Sequence, residues 1–210
     1  MRHGLLILAL IAGSSAIAQD VRINGGLQVG LALPTGDFAT KTISTTWGDE
    51  YQGANDGLGL HFGGHLDFNF NPHHQFRLHG TVHGFASKEQ RVYPYGGYSS
   101  ETLQNGFGIL QFGGDYVINL GTPSKGAYFL AGLNLNQVTK TLKVSGYEDE
   151  SATQSGRMGV RIGAGYTINR IVSLEGQINS VSVDAKGVDG FGLDSLTWVS
   201  FTAVFRFGRP

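Results

Sequence analysis

Period-two alternation of apolar and polar residues recurs eight times along this chain, and it leaves almost nothing for a helix to bury. Side chains alternate across a strand, so each such run has one apolar and one polar face. The last run, Leu196 to Phe207, puts Val199, Phe201, Ala203, Phe205 and Phe207 on one side and Ser200, Thr202 and Arg206 on the other. Leu58 to Phe70 sets Leu58, Leu60, Phe62, Leu66, Phe68 and Phe70 against His61, His65, Asp67 and Asn69. The same pattern is expected over Ile23–Leu33, Gln75–Ser87, Gln104–Leu120, Ala127–Val144, Arg157–Ile168 and Val172–Asp184.

The connections between these runs alternate in length. Short ones are expected at Asn71-Pro72-His73-His74, Gly121 to Gly126 and Asn169-Arg170-Ile171. Long ones are expected at Pro34 to Gly57, Lys88 to Leu103, Ser145 to Gly156 and Ala185 to Ser195. Eight strands with short turns at one end and long loops at the other is the pattern of a transmembrane barrel, in which every backbone group pairs inside a closed sheet. The apolar faces carry almost no charge, which assigns them to hydrocarbon and the polar faces to an enclosed lumen. Phe70, Phe76, Tyr116, Phe129, Tyr166 and Phe207 lie on the apolar faces near the short turns, the level of an interfacial girdle.

The N-terminus has the form of an export signal. Arg2 is followed by a short apolar core, Leu5 to Ala12, and by Ala16-Ile17-Ala18, an A-x-A site that predicts cleavage before Gln19. About eight apolar residues are far fewer than the ~20 that span a bilayer as a helix. Residues 1–18 are thus expected as a signal peptide and 19–210 as one barrel domain. No cysteine is present, which excludes disulfides and thiolate metal sites. A net charge of −1 without a basic stripe argues against a nucleic-acid partner.

The spaced aromatics of the closing strand and the alternating connections make the chain similar to the small eight-stranded bacterial outer-membrane barrels of the OmpA, OmpX and OmpW type. The resemblance covers the whole mature chain and rests on architecture. It implies an all-β, eight-stranded, antiparallel up-and-down barrel, a monomer in the bacterial outer membrane with both termini in the periplasm. It further implies that Phe201, Phe205 and Phe207 form the signal read by the barrel-insertion machinery. The family chain usually ends on its terminal aromatic, whereas Gly208-Arg209-Pro210 follow Phe207 here. Expected partners are outer-membrane lipid, lipopolysaccharide and an unidentified contact of the extracellular loops. Lys140, Lys143 and Arg157 are candidates to counter lipid phosphates.

The polar faces supply the candidate site residues. Asp67, Arg77, Asp115, Arg161, Glu175 and Arg206 are expected in the lumen, where charges must be paired or hydrated. If Phe70 and His74 close a three-residue turn, Asp67 faces Arg77, His65 faces His79 and His61 faces His83. These four histidines are candidate metal ligands through imidazole nitrogen, or else compact polar residues that donate and accept hydrogen bonds. No structural metal or other cofactor is otherwise indicated, and no catalytic motif surrounds them. The sequence favours a non-enzymatic envelope protein with a structural, adhesive or loop-mediated binding role. A narrow pore for small or apolar solutes is the alternative, and a lipid-modifying or proteolytic barrel enzyme the second alternative.

Overall fold

A computed structural model describes residues 21–45, 48–51, 53–54, 57–87, 89–92, 101–121, 125–186 and 191–207. The expected signal peptide, the Tyr93–Tyr98 aromatic run and the tail after Phe207 lie outside the described residues. The elements in order are β1 (Arg22–Thr35), α1 (Asp37–Thr40), β2 (Thr42–Thr45), β3 (Gly48–Tyr51), β4 (Gly59–Asn69), β5 (His74–Ala86), β6 (Gln90–Val92), β7 (Glu101–Asn119), β8 (Gly126–Val144), β9 (Glu150–Thr167), β10 (Val172–Ser182) and β11 (Ser195–Phe207).

Eight of these strands close into an antiparallel ring, β1-β4-β5-β7-β8-β9-β10-β11, with β11 returning to pair β1. Partners followed round the ring from Gly25 are Leu66, Leu78, Gly114, Leu133, Val160, Ser180 and Thr197, and the path rejoins β1 at Thr35, ten residues further on. A stagger of ten over eight strands tilts them by about 40° from the axis, given the usual rise and spacing.

The turns at one end follow from asparagine chemistry. In β4–β5, Asn71 Oδ1 accepts from the backbone N–H of His73 and His74, both at 2.9 Å. In β9–β10, Asn169 Oδ1 accepts likewise from Ile171 and Val172 at 2.8 and 2.9 Å. Side-chain mimicry of a backbone turn is the reason Asn nucleates such corners. The first corner sets the register that pairs Asp67 with Arg77, His65 with His79 and His61 with His83.

The apolar faces point outward. Ile23, Leu27, Val29, Leu31, Phe62, Leu66, Val82, Phe112, Leu133, Ile162, Ile178 and Phe201 are all exposed, while inward residues next to them such as Gln28, His61, Asp67, Thr81, Gln111, Arg161, Gln177 and Ser200 are buried in the lumen. A water-soluble barrel has the opposite arrangement. The side chains of Phe70, Tyr116, Phe129, Tyr166 and Phe207 gather on the outer surface towards the short turns, and Tyr116 bonds His74 there at 2.7 Å.

Two expectations need correction. The segment Ser145–Gly156 is not a loop: only Ser145–Asp149 turns, and Glu150–Gln154 continues β9 against β8. An extra residue on β9 at the Asn136/Val138 register shift, with Gly156 at φ 69°, breaks the alternation and hides the strand. The lumen is also not uniformly polar. Its loop-side half is filled by Phe85, Phe107, Ile109, Val138, Leu196 and Trp198, all buried.

Candidate functional site: the filled lumen

Inward positions of the short-turn half hold three guanidinium groups and three carboxylates, a linked set around Arg77 and a separate Arg161–Asp115 pair. Arg77 on β5 donates from Nε to Asp67 Oδ1 at 2.8 Å and from Nη1 to Glu175 Oε1 at 2.5 Å. β5 and β10 stand four strands apart in a ring of eight, so this second bond crosses the full bore. Glu175 also accepts from Tyr128 Oη and Gln177 Nε2, each at 2.5 Å. Arg206 donates to Asp67 Oδ2 at 3.3 Å and to the hydroxyls of Thr167 and Ser173, with its guanidinium over the Tyr128 ring. Arg161 pairs with Asp115 across the intervening strand β8. Gly132 of β8 makes that reach possible, since a Cβ there would strike Asp115.

Arg77, Arg161, Asp67, Asp115 and Glu175 are almost wholly buried. Ions taken from water are stable only when paired and hydrogen-bonded, and three charges of each sign balance locally. All six lumen candidates are thereby brought together, and Tyr128 and Gln177 join them. The sequence signal for Tyr128 is its inward position in β8, between outward Ala127 and Phe129.

The histidines form a column above this network. His65 Nε2 lies 3.6 Å from Asp67, and His79 Nε2 lies 3.7 Å from Asp115. His61 Nε2 meets the Thr202 hydroxyl at 3.0 Å, and His83 Nε2 meets Thr81 at 3.2 Å. Three of the four lie opposite glycine on a neighbouring strand: His65 by Gly26, His61 by Gly30 and His79 by Gly113. Their rings occupy the space a Cβ would take. Among the described residues, no three His, Asp or Glu side chains are spaced to share one metal ion.

The loop-side half is closed by aromatic packing. α1 drops Phe38 into the mouth, edge-on to Phe85 at 5.1 Å and to Phe107 at 5.0 Å. Trp198 packs edge-on to His83 at 5.2 Å and Phe85 at 5.9 Å. Phe191 and Leu193 enter from the connection before β11 and are fully buried. Gln154 clasps that connection through two bonds to the Asp184 backbone, and Arg157 pairs with the Asp184 carboxylate. Lys140 points inward, donating to the Phe191 carbonyl at 3.2 Å beside the Phe107 ring. Lys140 and Arg157 are therefore turned to the mouth and its loops, while Lys143 pairs with Asp149 at 3.5 Å on the exposed hairpin. His61 and His83, the histidines nearest the loop end, lie beneath this plug. Phe201 and Phe207 are on the outer face of β11, with Phe205 half-buried between them.

No protein-family model and no curated protein matches the chain. Solved structures do. Ail, the attachment invasion locus protein of Yersinia pestis, crystallised with the heparin analogue sucrose octasulfate, aligns over 89% of this chain and 99% of its own, at 8% identity and a TM-score of 0.54. The N-terminal barrel domain of Pseudomonas aeruginosa OprF aligns over 90% of this chain and all of its own at 10% identity and a TM-score of 0.41. Neisserial surface protein A aligns over 90% and 98% at 14% identity and a TM-score of 0.44. At such identity the likeness to Ail is one of fold, and the fold is the eight-stranded antiparallel barrel of small outer-membrane proteins.

Proposed function

We propose that the protein is a non-conducting, non-enzymatic barrel of the bacterial outer membrane, exported by its N-terminal signal, that acts through its loop-bearing end in a structural, adhesive or ligand-contacting role. The observation that carries this is the filling of the lumen at two successive levels, an ionic network and an aromatic plug. A bore of eight strands is just wide enough for its own side chains, and here both levels are occupied. Ail, a barrel of the same fold, is named for attachment, the kind of role proposed here. Lipopolysaccharide and the insertion machinery are the partners such a location supplies.

Planar-bilayer recording of the purified full-length barrel tests the proposal. A flat trace at all voltages is expected. Steady unitary conductance would overturn it in favour of a narrow conduit. Comparing lipid A mass spectra from cells with and without the gene tests the enzymatic alternative, and identical spectra are expected.

A further inference from the structure

The short-turn end carries a charge pattern that the lumen does not explain. Among the described residues at this rim, Arg22, Lys125 and Arg170 are exposed, His73 lies exposed in the β4–β5 turn, and no Asp or Glu accompanies them. The exposed acids Asp37, Glu89, Glu148, Asp149, Glu150, Asp184 and Asp194 all belong to the opposite, loop-bearing end. The cations are spread round the circumference: Arg22 opens β1, Lys125 precedes β8, and Arg170 lies between β9 and β10. Neither arginine forms an ion pair among the described residues.

Each cation has an exposed apolar neighbour. Ile23 follows Arg22, Leu120 shares the β7–β8 turn with Lys125, and Ile168 and Ile171 flank Arg170. Just inside them lies the aromatic level of Tyr116, Phe129, Tyr166 and Phe207. An apolar side chain directly beside a cation, outside an aromatic belt, suits the boundary between acyl chains and headgroups, where long basic side chains reach the phosphates. Arginine adds planar, two-pronged recognition of phosphate oxygens.

We propose that this rim is a docking collar for anionic phospholipid headgroups of the leaflet at the short-turn end, with Arg22, Lys125 and Arg170 meeting the phosphates while Ile23, Leu120 and Ile171 enter the acyl boundary. The collar rests on the membrane-embedded reading above and adds a lipid preference and a fixed depth to it.

The test is the relative association of spin-labelled phosphatidylglycerol and phosphatidylcholine with the full-length barrel, refolded into vesicles containing equal parts of the two lipids. Wild type is expected to prefer phosphatidylglycerol, on the order of fivefold at a position beside one cation. High salt should screen the preference. The triple variant Arg22→Gln, Lys125→Gln, Arg170→Gln should fall to near parity, and Arg22→Lys with Arg170→Lys should retain most of the preference. Equal association in wild type, or a triple variant as selective as wild type, overturns the collar. Failure of wild type to enter these mixed vesicles overturns the embedded reading instead. The altered residues are exposed and outside the lumen network, so the strand ladder should survive, with retained folding checked by heat-modifiable gel mobility.

Discussion

Arg77 spans the bore of the barrel: its Nη1 meets Glu175 Oε1 at 2.5 Å while its Nε holds Asp67 on the adjacent strand. One side chain therefore ties opposite walls together, and the cross-link lies where neither partner can fall back on bulk water. Removing the cation alone leaves Glu175 buried without an ion pair and Asp67 held by Arg206 alone.

Arg77→Leu is accordingly expected to destabilise the folded barrel by about 3–5 kcal/mol, the usual cost of orphaning a buried pair. Adding Glu175→Gln to the same chain should recover much of that loss, because the carboxylate left without an ion pair is then neutral while Asp67 still pairs with Arg206. Urea unfolding from lipid vesicles measures both. A loss below about 1 kcal/mol for the single variant would mean that water solvates this level well enough to replace the guanidinium.

The outward faces make a depth-dependent prediction. Phe62 and Ile23 are equally exposed, each at 59%, but Phe62 lies mid-strand and Ile23 at the rim. Phe62→Arg is expected to cost ~2–4 kcal/mol and Ile23→Arg ~0–1 kcal/mol when the barrel is in a bilayer. Equal, negligible costs in the same urea titration would contradict a hydrocarbon surround.

The plug should open locally before the barrel does. Phe38 reaches the lumen from α1, and its carbonyl accepts from Ala54 N–H at 2.7 Å. Phe38→Ala removes its two edge-on ring contacts at the mouth without touching the strand ladder. Amide exchange at Ala54 and Gly57 is expected to quicken on the order of a hundredfold, equivalent to about 3 kcal/mol of lost packing. Amides of β4 and β5 should keep their protection, as read by hydrogen-exchange mass spectrometry.

Glycines on the two faces should respond in opposite ways. A Cβ on inward Gly30 would collide with the Phe201 carbonyl and the His61 ring, whereas outward Gly176 has open space around it. Gly30→Ala is expected to cost about 1–3 kcal/mol through overpacking. Gly176→Ala should be neutral or gain about 0.4–1 kcal/mol by restricting the unfolded chain. Unfolding midpoints of the two variants in the same lipid decide the point.

Much of the architecture was legible residue by residue. The outward runs such as Phe62, Leu66 and Ile162 alternate strictly because hydrocarbon accepts only one kind of side chain, and the three short turns are bounded by Asn and Gly. The register of β4 on β5 followed from one turn length, and it placed Asp67 beside Arg77. The loop-side extension of β9 was hidden, since Ser151, Thr153 and Ser155 carry no apolar contrast where the sheet leaves the membrane. Trp198, Phe85 and Phe107 were present in the lumen phase of their strands, but a rule that equates the lumen with polar residues passes over them.

Local sequence determined which side of each strand meets lipid, because that choice depends only on the two-residue period and on the cost of charge in hydrocarbon. It also determined the corners, because an Asn side chain meets its own neighbouring amides. The partners inside were decided by tertiary structure alone. Arg77 meets Glu175 only because eight strands with a stagger of ten bring β5 opposite β10, and Phe38 closes the mouth only because its loop folds inward. Contacts across the bore depend on the curvature and tilt of the whole ring, and no stretch of the chain encodes those by itself.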